Sequence, residues 1–250
     1  MMHTFVSLFK NKEIRNKIFF TLAMLLIYRI GSAIPVPGVD ATKIASSISD
    51  NSILSMMNLL GGGALQNMSV FAMGVTPYIT ASIIIQLLSM DVIPALTEMT
   101  KSGQTGRLKM EKITRYLGVV LSFVQAYSLV YGFDKQYAIL TSSSLSNYLY
   151  TATVLTAGTM FLLWLGDRIS TKGIGNGVSV IIFAGIVSNM PSTFMQVFNV
   201  LVDTSSSGAM FNGLLEYALY ILMYLVIIVL VVIMQLAVRK IPIQYTNSSN

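Results

Sequence analysis

The chain has 250 residues, with 16 Lys plus Arg against 10 Asp plus Glu, a hydrophobic share of 54% and a mean hydropathy of +0.70. Its charged share of 10% compares with about 25% in soluble domains, too few charges to cover so large a core in water; a soluble single domain is excluded, and lipid is the expected solvent. The absence of Cys excludes a disulfide framework and a thiolate metal site, and the net charge of +6 leaves nucleic acid or membrane to be decided by where the cations lie.

At about 20 residues per bilayer crossing, six apolar segments qualify as transmembrane helices: 18–35, 70–90, 116–133, 148–166, 174–194 and 214–238. The expected fold class is therefore an all-α, multi-pass helical bundle forming a single membrane domain over 1–250. Arg29 lies near the outer end of the first span and is expected to snorkel to the interface. Between the first two spans, segment 44–60 is apolar but broken by Ser and Asp, and it runs into Gly61, Gly62 and Gly63. Too short and too polar to span, it reads as a re-entrant or surface helix shielded by protein, because irregular backbone survives at membrane depth only under such cover.

The second span carries Gly74, Pro77, Ala81 and Ser82 among aliphatics; Pro77 is expected to kink it, and Gln86 to face protein or water rather than lipid. The next cytoplasmic loop, 91–115, contains the densest charged cluster, KSGQTGRLKMEKITR. Lys101, Arg107, Lys109, Lys112 and Arg115 within it read either as an anchor to anionic lipid or as a flexible hairpin that docks an acidic or RNA partner. No aromatic residue interleaves these cations, so direct nucleic-acid readout by base stacking is not signalled. The glycines at 173, 175 and 177 do not match a dinucleotide fingerprint; they read as a tight entry into a membrane helix, with Asn176 capping its free amides.

Topology follows from the cations. With the N-terminal stretch 1–17 in the cytoplasm, the inner segments hold thirteen (Lys10, Lys12, Arg15, Lys17, Lys101, Arg107, Lys109, Lys112, Arg115, Arg168, Lys172, Arg239 and Lys240), and the outer ones hold Lys43 and Lys135. Both termini are expected on the cytoplasmic side. The first apolar run is long and no small-residue cleavage pattern follows it, so no cleaved signal peptide is expected.

Catalytic patterns are nearly absent. His3 is the one histidine, and HExxH, GxSxG and P-loop patterns do not occur. No paired ionisable residues mark a membrane-embedded enzyme, and no charged ligands at depth mark a six-span small-solute transporter. Neither an enzyme nor a cofactor is expected.

The runs RIGSAIPVPGVD, MMNLLGGGAL, FAMGVTPYITASIIIQLL, GTMFLLWLGDRISTKGIGNGVSVIIFAGIV and RKIPIQY resemble, in order and spacing, stretches of the SecY family, the central subunits of the Sec protein translocase. The resemblance runs from about Phe9 to Tyr245 and covers the family's first half plus its sixth span, ending at the start of a cytoplasmic loop, 239–250. That extent fits a truncated product, a fragment, or a shortened form completed by a partner.

The resemblance implies a protein-conducting channel without chemistry of its own, in the cytoplasmic membrane, passing unfolded polypeptides across the bilayer or laterally into it. Its plug would begin at Met56, Met57, Asn58, Leu59, Leu60, Gly61, Gly62 and Gly63, hinged to a helix starting near Ser69. Val75, Ile79 and Ile182 would belong to a hydrophobic pore ring, and Ile83 and Gln86 to the lateral gate. The implied partners are SecE-like and SecG-like small membrane subunits, a SecA motor or ribosome on the basic loops, nascent or preprotein chains, and lipid. The alternatives are the small-solute transporter and a non-functional fragment or assembly partner.

Overall fold

The computed structural model describes residues 11–44, 55, 58, 61–202 and 207–238. Seven helices are present among them: α1 (Lys12–Ser32), α2 (Thr76–Leu88), α3 (Pro94–Lys101), α4 (Gly103–Tyr137), α5 (Leu145–Lys172), α6 (Gly177–Leu201) and α7 (Ser207–Leu236). No strand is assigned among the described residues beyond two isolated bridges, Pro35 with Ser69 and Val39 with Leu140. They fall into two compact units, Met1–Met190 and Pro191–Asn250.

Among the described residues, four helices are long and apolar enough to cross a bilayer: Gly103–Tyr137, Leu145–Lys172, Gly177–Leu201 and Met210–Leu236. Of the six expected spans, the first corresponds to α1, whose 21 residues carry Lys12, Glu13, Arg15, Lys17 and Arg29. The second expected span, 70–90, is not one helix. Its helical part is α2, 13 residues or about 20 Å, preceded by turns over residues 61–75. Pro77 therefore does not kink a helix. It sits in the first turn of α2, where its missing N–H has no intrahelical partner to lose.

Residues 61–75 are the spine of the first unit. Ala64, Leu65, Met68, Phe71, Ala72, Met73 and Val75 are all buried, and they contribute to both apolar clusters, one against Ala126, Val130 and Leu155, the other against Leu162, Leu165 and Ile169. Their amides are used in successive short turns, such as Ser69 N–H to Ala64 O at 2.9 Å and Gly74 N–H to Phe71 O at 2.8 Å, and Val70 N–H reaches Ile34 O at 3.1 Å. Irregular backbone under protein cover is thus found here; of the segment expected to show it, 44–60, all but residues 44, 55 and 58 lie outside the described residues. Close approach requires glycine on α5: a Cβ on Gly158 would lie 1.9 Å from Val70 O.

The helices of this unit pack α2 on α4, α4 on α5, α3 on α4 and α1 on α5. At one end of α4, Asp134 is buried; its carboxylate accepts hydrogen bonds from Leu140 N–H at 2.9 Å and from the Tyr148 hydroxyl. The basic stretch 101–115 is not a flexible hairpin. Lys101 ends α3, and Arg107, Lys109, Lys112 and Arg115 lie on the opening turns of the 35-residue α4, whose Gly106 abuts Met99 O. In the second unit, Phe194 packs edge-on against Tyr220 and Tyr224, and Phe198 against Tyr217.

Candidate functional site

Two features lie side by side in the first unit: a glycine segment clasped between helices, and a cavity. Gly62 and Gly63 take left-handed φ angles of +66° and +82°, which a side chain would strain. The Tyr28 hydroxyl donates to Gly61 O at 3.1 Å, and Arg29 Nη1 donates to Gly62 O at 3.0 Å and approaches Ser188 Oγ at 3.4 Å. Arg29 therefore turns to the glycine segment, a partner that the expectation of snorkelling did not include. Asn58 receives Gly63 N–H on its carbonyl and Gln66 N–H on its side chain, both at 2.9 Å. Met56, Met57, Leu59 and Leu60 lie outside the described residues.

The cavity, about 620 Å³, lies between α2, α4, α5 and α6 and is lined on its apolar side by Ile79, Ile83, Val178 and Ile182. Ile79 is 36% exposed, whereas Val75, one turn earlier, is 5% exposed within a buried cluster against which Ile182 also packs. Two of the three expected pore positions thus reach one cavity, and the third lies in the core beside it. The polar rim carries Arg115, which pairs through Nη2 with Glu111 Oε1 and with Asp167 Oδ2, each at 2.7 Å. Gln86 does not face this cavity; it lines an adjoining cleft of about 380 Å³ with Ser82, Arg107 and Glu111. Lys101, Arg107, Lys109 and Lys112 are exposed, while Arg115 is held by its two carboxylates.

The entry to α6 is built as its glycines require. Asn176 Oδ1 accepts from Val178 N–H at 3.1 Å and Ser179 N–H at 3.3 Å, the cap expected from sequence. Ser170 Oγ takes Gly177 N–H at 2.8 Å, and a Cβ on Gly177 would sit 1.9 Å from Gly166 O, so α5 and α6 meet backbone to backbone. Thr21 on α1 accepts Ile174 N–H at 3.1 Å and ties the same turn to the first helix. This fixes where Ile182 points. Among the described residues, no three His, Cys, Asp or Glu side chains gather as metal ligands would.

A profile of the SecY family matches residues 69–250. The chain belongs to the SecY family. It is 47% identical over 251 residues to the protein translocase subunit SecY of Bacillus subtilis (strain 168) and 46% identical over 252 residues to that of Staphylococcus carnosus (strain TM300). Each match takes in the whole of this chain and 58% of the relative, so the chain spans under two thirds of the length of these SecY relatives. Among solved structures, its fold is similar to "Sec61 in the Canine ribosome-channel complex from the endoplasmic reticulum", with a TM-score of 0.59 at 19% identity, covering 91% of this chain and 49% of that one. It is also similar to "The structure of a protein conducting channel", with a TM-score of 0.52 at 20% identity, covering 74% of this chain and 37% of that one. The chain shares with the SecY family an all-helical, multi-pass membrane architecture.

Sequence reasoning missed the partners of Arg29, the Arg115–Asp167 pair and the buried Asp134. A signal existed for the first. A cation inside an apolar helix must find acceptors, and a run of three glycines leaves carbonyls unshielded by side chains.

Proposed function

We propose that this chain forms one wall of a protein-conducting channel through which unfolded polypeptides cross the membrane or enter it sideways. The observation that carries the reading is the convergence of Ile79 from α2 and Ile182 from α6 on one cavity beside buried Val75. A short ring of branched aliphatic side chains wets poorly and so holds back ions, yet it yields to a travelling chain because it offers no fixed bonds. The glycine segment with Met56, Met57, Asn58, Leu59 and Leu60 serves as the plug, and Ile83 and Gln86 belong to the side on which apolar segments leave for lipid. A segment choosing between pore and lipid does so by its own transfer free energy, with each central charge costing about 2.5 to 3.5 kcal/mol.

In this reading six spans cross the cytoplasmic membrane, counting α1 and the stretch 70–90, and both termini face the cytoplasm, as the bias of thirteen cations to two supports. The passage of the polymer needs no catalytic group from this chain; a SecA-type motor or the ribosome supplies the energy. The exposed Lys101, Arg107, Lys109 and Lys112 offer a secondary contact for such a partner. SecE-like and SecG-like subunits cover part of the exposed apolar surface. The test is ion leakage: with the complex from its native membrane in planar bilayers, Ile79→Gly raises resting conductance, and an unchanged conductance contradicts the assignment of the ring.

A further inference from the structure

The glycine segment is not merely packed in place. Gly62 lies so close to α1 and α6 that a Cβ there would fall 2.6 Å from the Tyr28 hydroxyl oxygen and 2.9 Å from Gly185 Cα. Its two neighbours on α1 are donors aimed at consecutive carbonyls, Tyr28 at Gly61 and Arg29 at Gly62. Arg29 also reaches Ser188 on α6, whose own hydroxyl donates to Gly185 O at 2.8 Å. One side chain thus joins α1, the glycine segment and α6.

We propose that Arg29, assisted by Tyr28, is a positioning residue that clasps the carbonyls of Gly61 and Gly62 and so holds the channel in its resting state, the clasp releasing when the glycine segment moves. The inference rests on the channel reading above.

The chemistry suits a releasable contact. An ionisable residue in an apolar helix is expected to meet a specific partner, and Arg29 meets neutral carbonyl and hydroxyl oxygens; none of the ion pairs among the described residues involves it. Parting a buried ion pair would leave two uncompensated charges. Parting this clasp leaves one charge, on a side chain that is already exposed, and two carbonyls that turns or water can satisfy. Tyr28, by contrast, is buried at 3% exposure and stacks on Phe71, so it stays with the core and marks where the segment must return.

The test measures resting potassium chloride conductance per channel, using the complex from its native membrane in planar bilayers. Arg29→Met, which keeps length and removes the donors, raises resting conductance about tenfold, the effect of losing a charge-assisted hydrogen bond from the closed state. Arg29→Lys, which restores a cationic donor, brings it back part of the way, a recovery that a merely disturbed fold would not show. Should Arg29→Met not accumulate, Tyr28→Phe, which removes only one hydroxyl, raises conductance by a factor of a few. Wild-type conductance in Arg29→Met, or in Tyr28→Phe where that variant has to stand in, alongside a leaking Ile79→Gly, overturns the clasp and leaves the apolar ring standing. If Ile79→Gly is also tight, the clasp and the channel reading are both overturned.

Discussion

Arg115 on α4 and Asp167 on α5 meet at 2.7 Å across the rim of the cavity that Ile79 and Ile182 line. Glu111, one turn before Arg115, takes the same nitrogen at the same distance, so a single guanidinium ties two helices together with its charge offset by two carboxylates. The side chains are 48% and 43% exposed, which sets the scale of what the tie contributes.

Replacing Asp167 with Asn is expected to cost only about 0.2 to 1 kcal/mol, the range of exposed pairs, and the loss should shrink in high salt. Thermal unfolding in detergent, followed through Trp164, the chain's one tryptophan, which lies under Arg168 at 5.4 Å on the same helix, provides the measurement. A loss above about 2 kcal/mol would show that the pair is shielded as surface pairs are not.

Gly158→Ala presses a methyl group against Val70 O, at 1.9 Å before relaxation. Because the obstacle is backbone and not a flexible side-chain tip, α5 must withdraw from the spine. The expected cost is about 1 to 3 kcal/mol or more, seen as a lowered unfolding midpoint and faster proteolysis between residues 61 and 75. An unchanged midpoint would mean that α5 does not lie this close to Val70.

The Asp134 carboxylate accepts from Leu140 N–H and from the Tyr148 hydroxyl. Asp134→Asn keeps one acceptor oxygen and should be mild, whereas Asp134→Leu removes the acceptor of Leu140 N–H and of the Tyr148 hydroxyl, at about 1 to 3 kcal/mol. Tyr148→Phe in the Leu background should recover part of that loss, since it removes one of those donors. A double variant no better than Asp134→Leu would contradict the direct bond.

Hydrogen bonds from the Thr42 hydroxyl and amide hold the Asp40 carboxyl below the ordinary carboxylate range. A depressed folded pKa stabilises above the unfolded value and is lost as the pH falls through the folded one. Thr42→Val should therefore move the Asp40 titration upward, as read from its side-chain carbon shift under selective labelling. A titration that stays put would assign the depression to another cause.

Hydropathy and length located α4, α5, α6 and α7, because a long run of apolar residues has few other uses, even with Pro191 inside α6. The same measure could not separate residues 61–75 from α2. A buried irregular segment and a buried helix both read as apolar, and only backbone geometry distinguishes them. It also stopped α4 at Tyr116, since hydropathy reports the lipid-facing part of a helix and not the basic turns that extend it to Gly103. The cap by Asn176 was legible because capping is local. The clasp of Arg29 on Gly62 was legible only in part: a cation in an apolar helix calls for acceptors and the glycine run offers them, but nothing local pairs two residues 33 positions apart.

Cysteines placed at Ile79 and Ile182, with Ile83 as a neighbouring site on the same cavity, test the central claim most directly. With this chain in its native membrane and a secretory polypeptide arrested in transit, itself carrying a single cysteine, oxidation should yield crosslinks to the passenger from positions 79 and 182. Their yield should peak when the passenger cysteine stands level with the ring. Crosslinks absent from both positions, with the passenger arrested and protected from protease, would contradict an apolar seal built from these side chains.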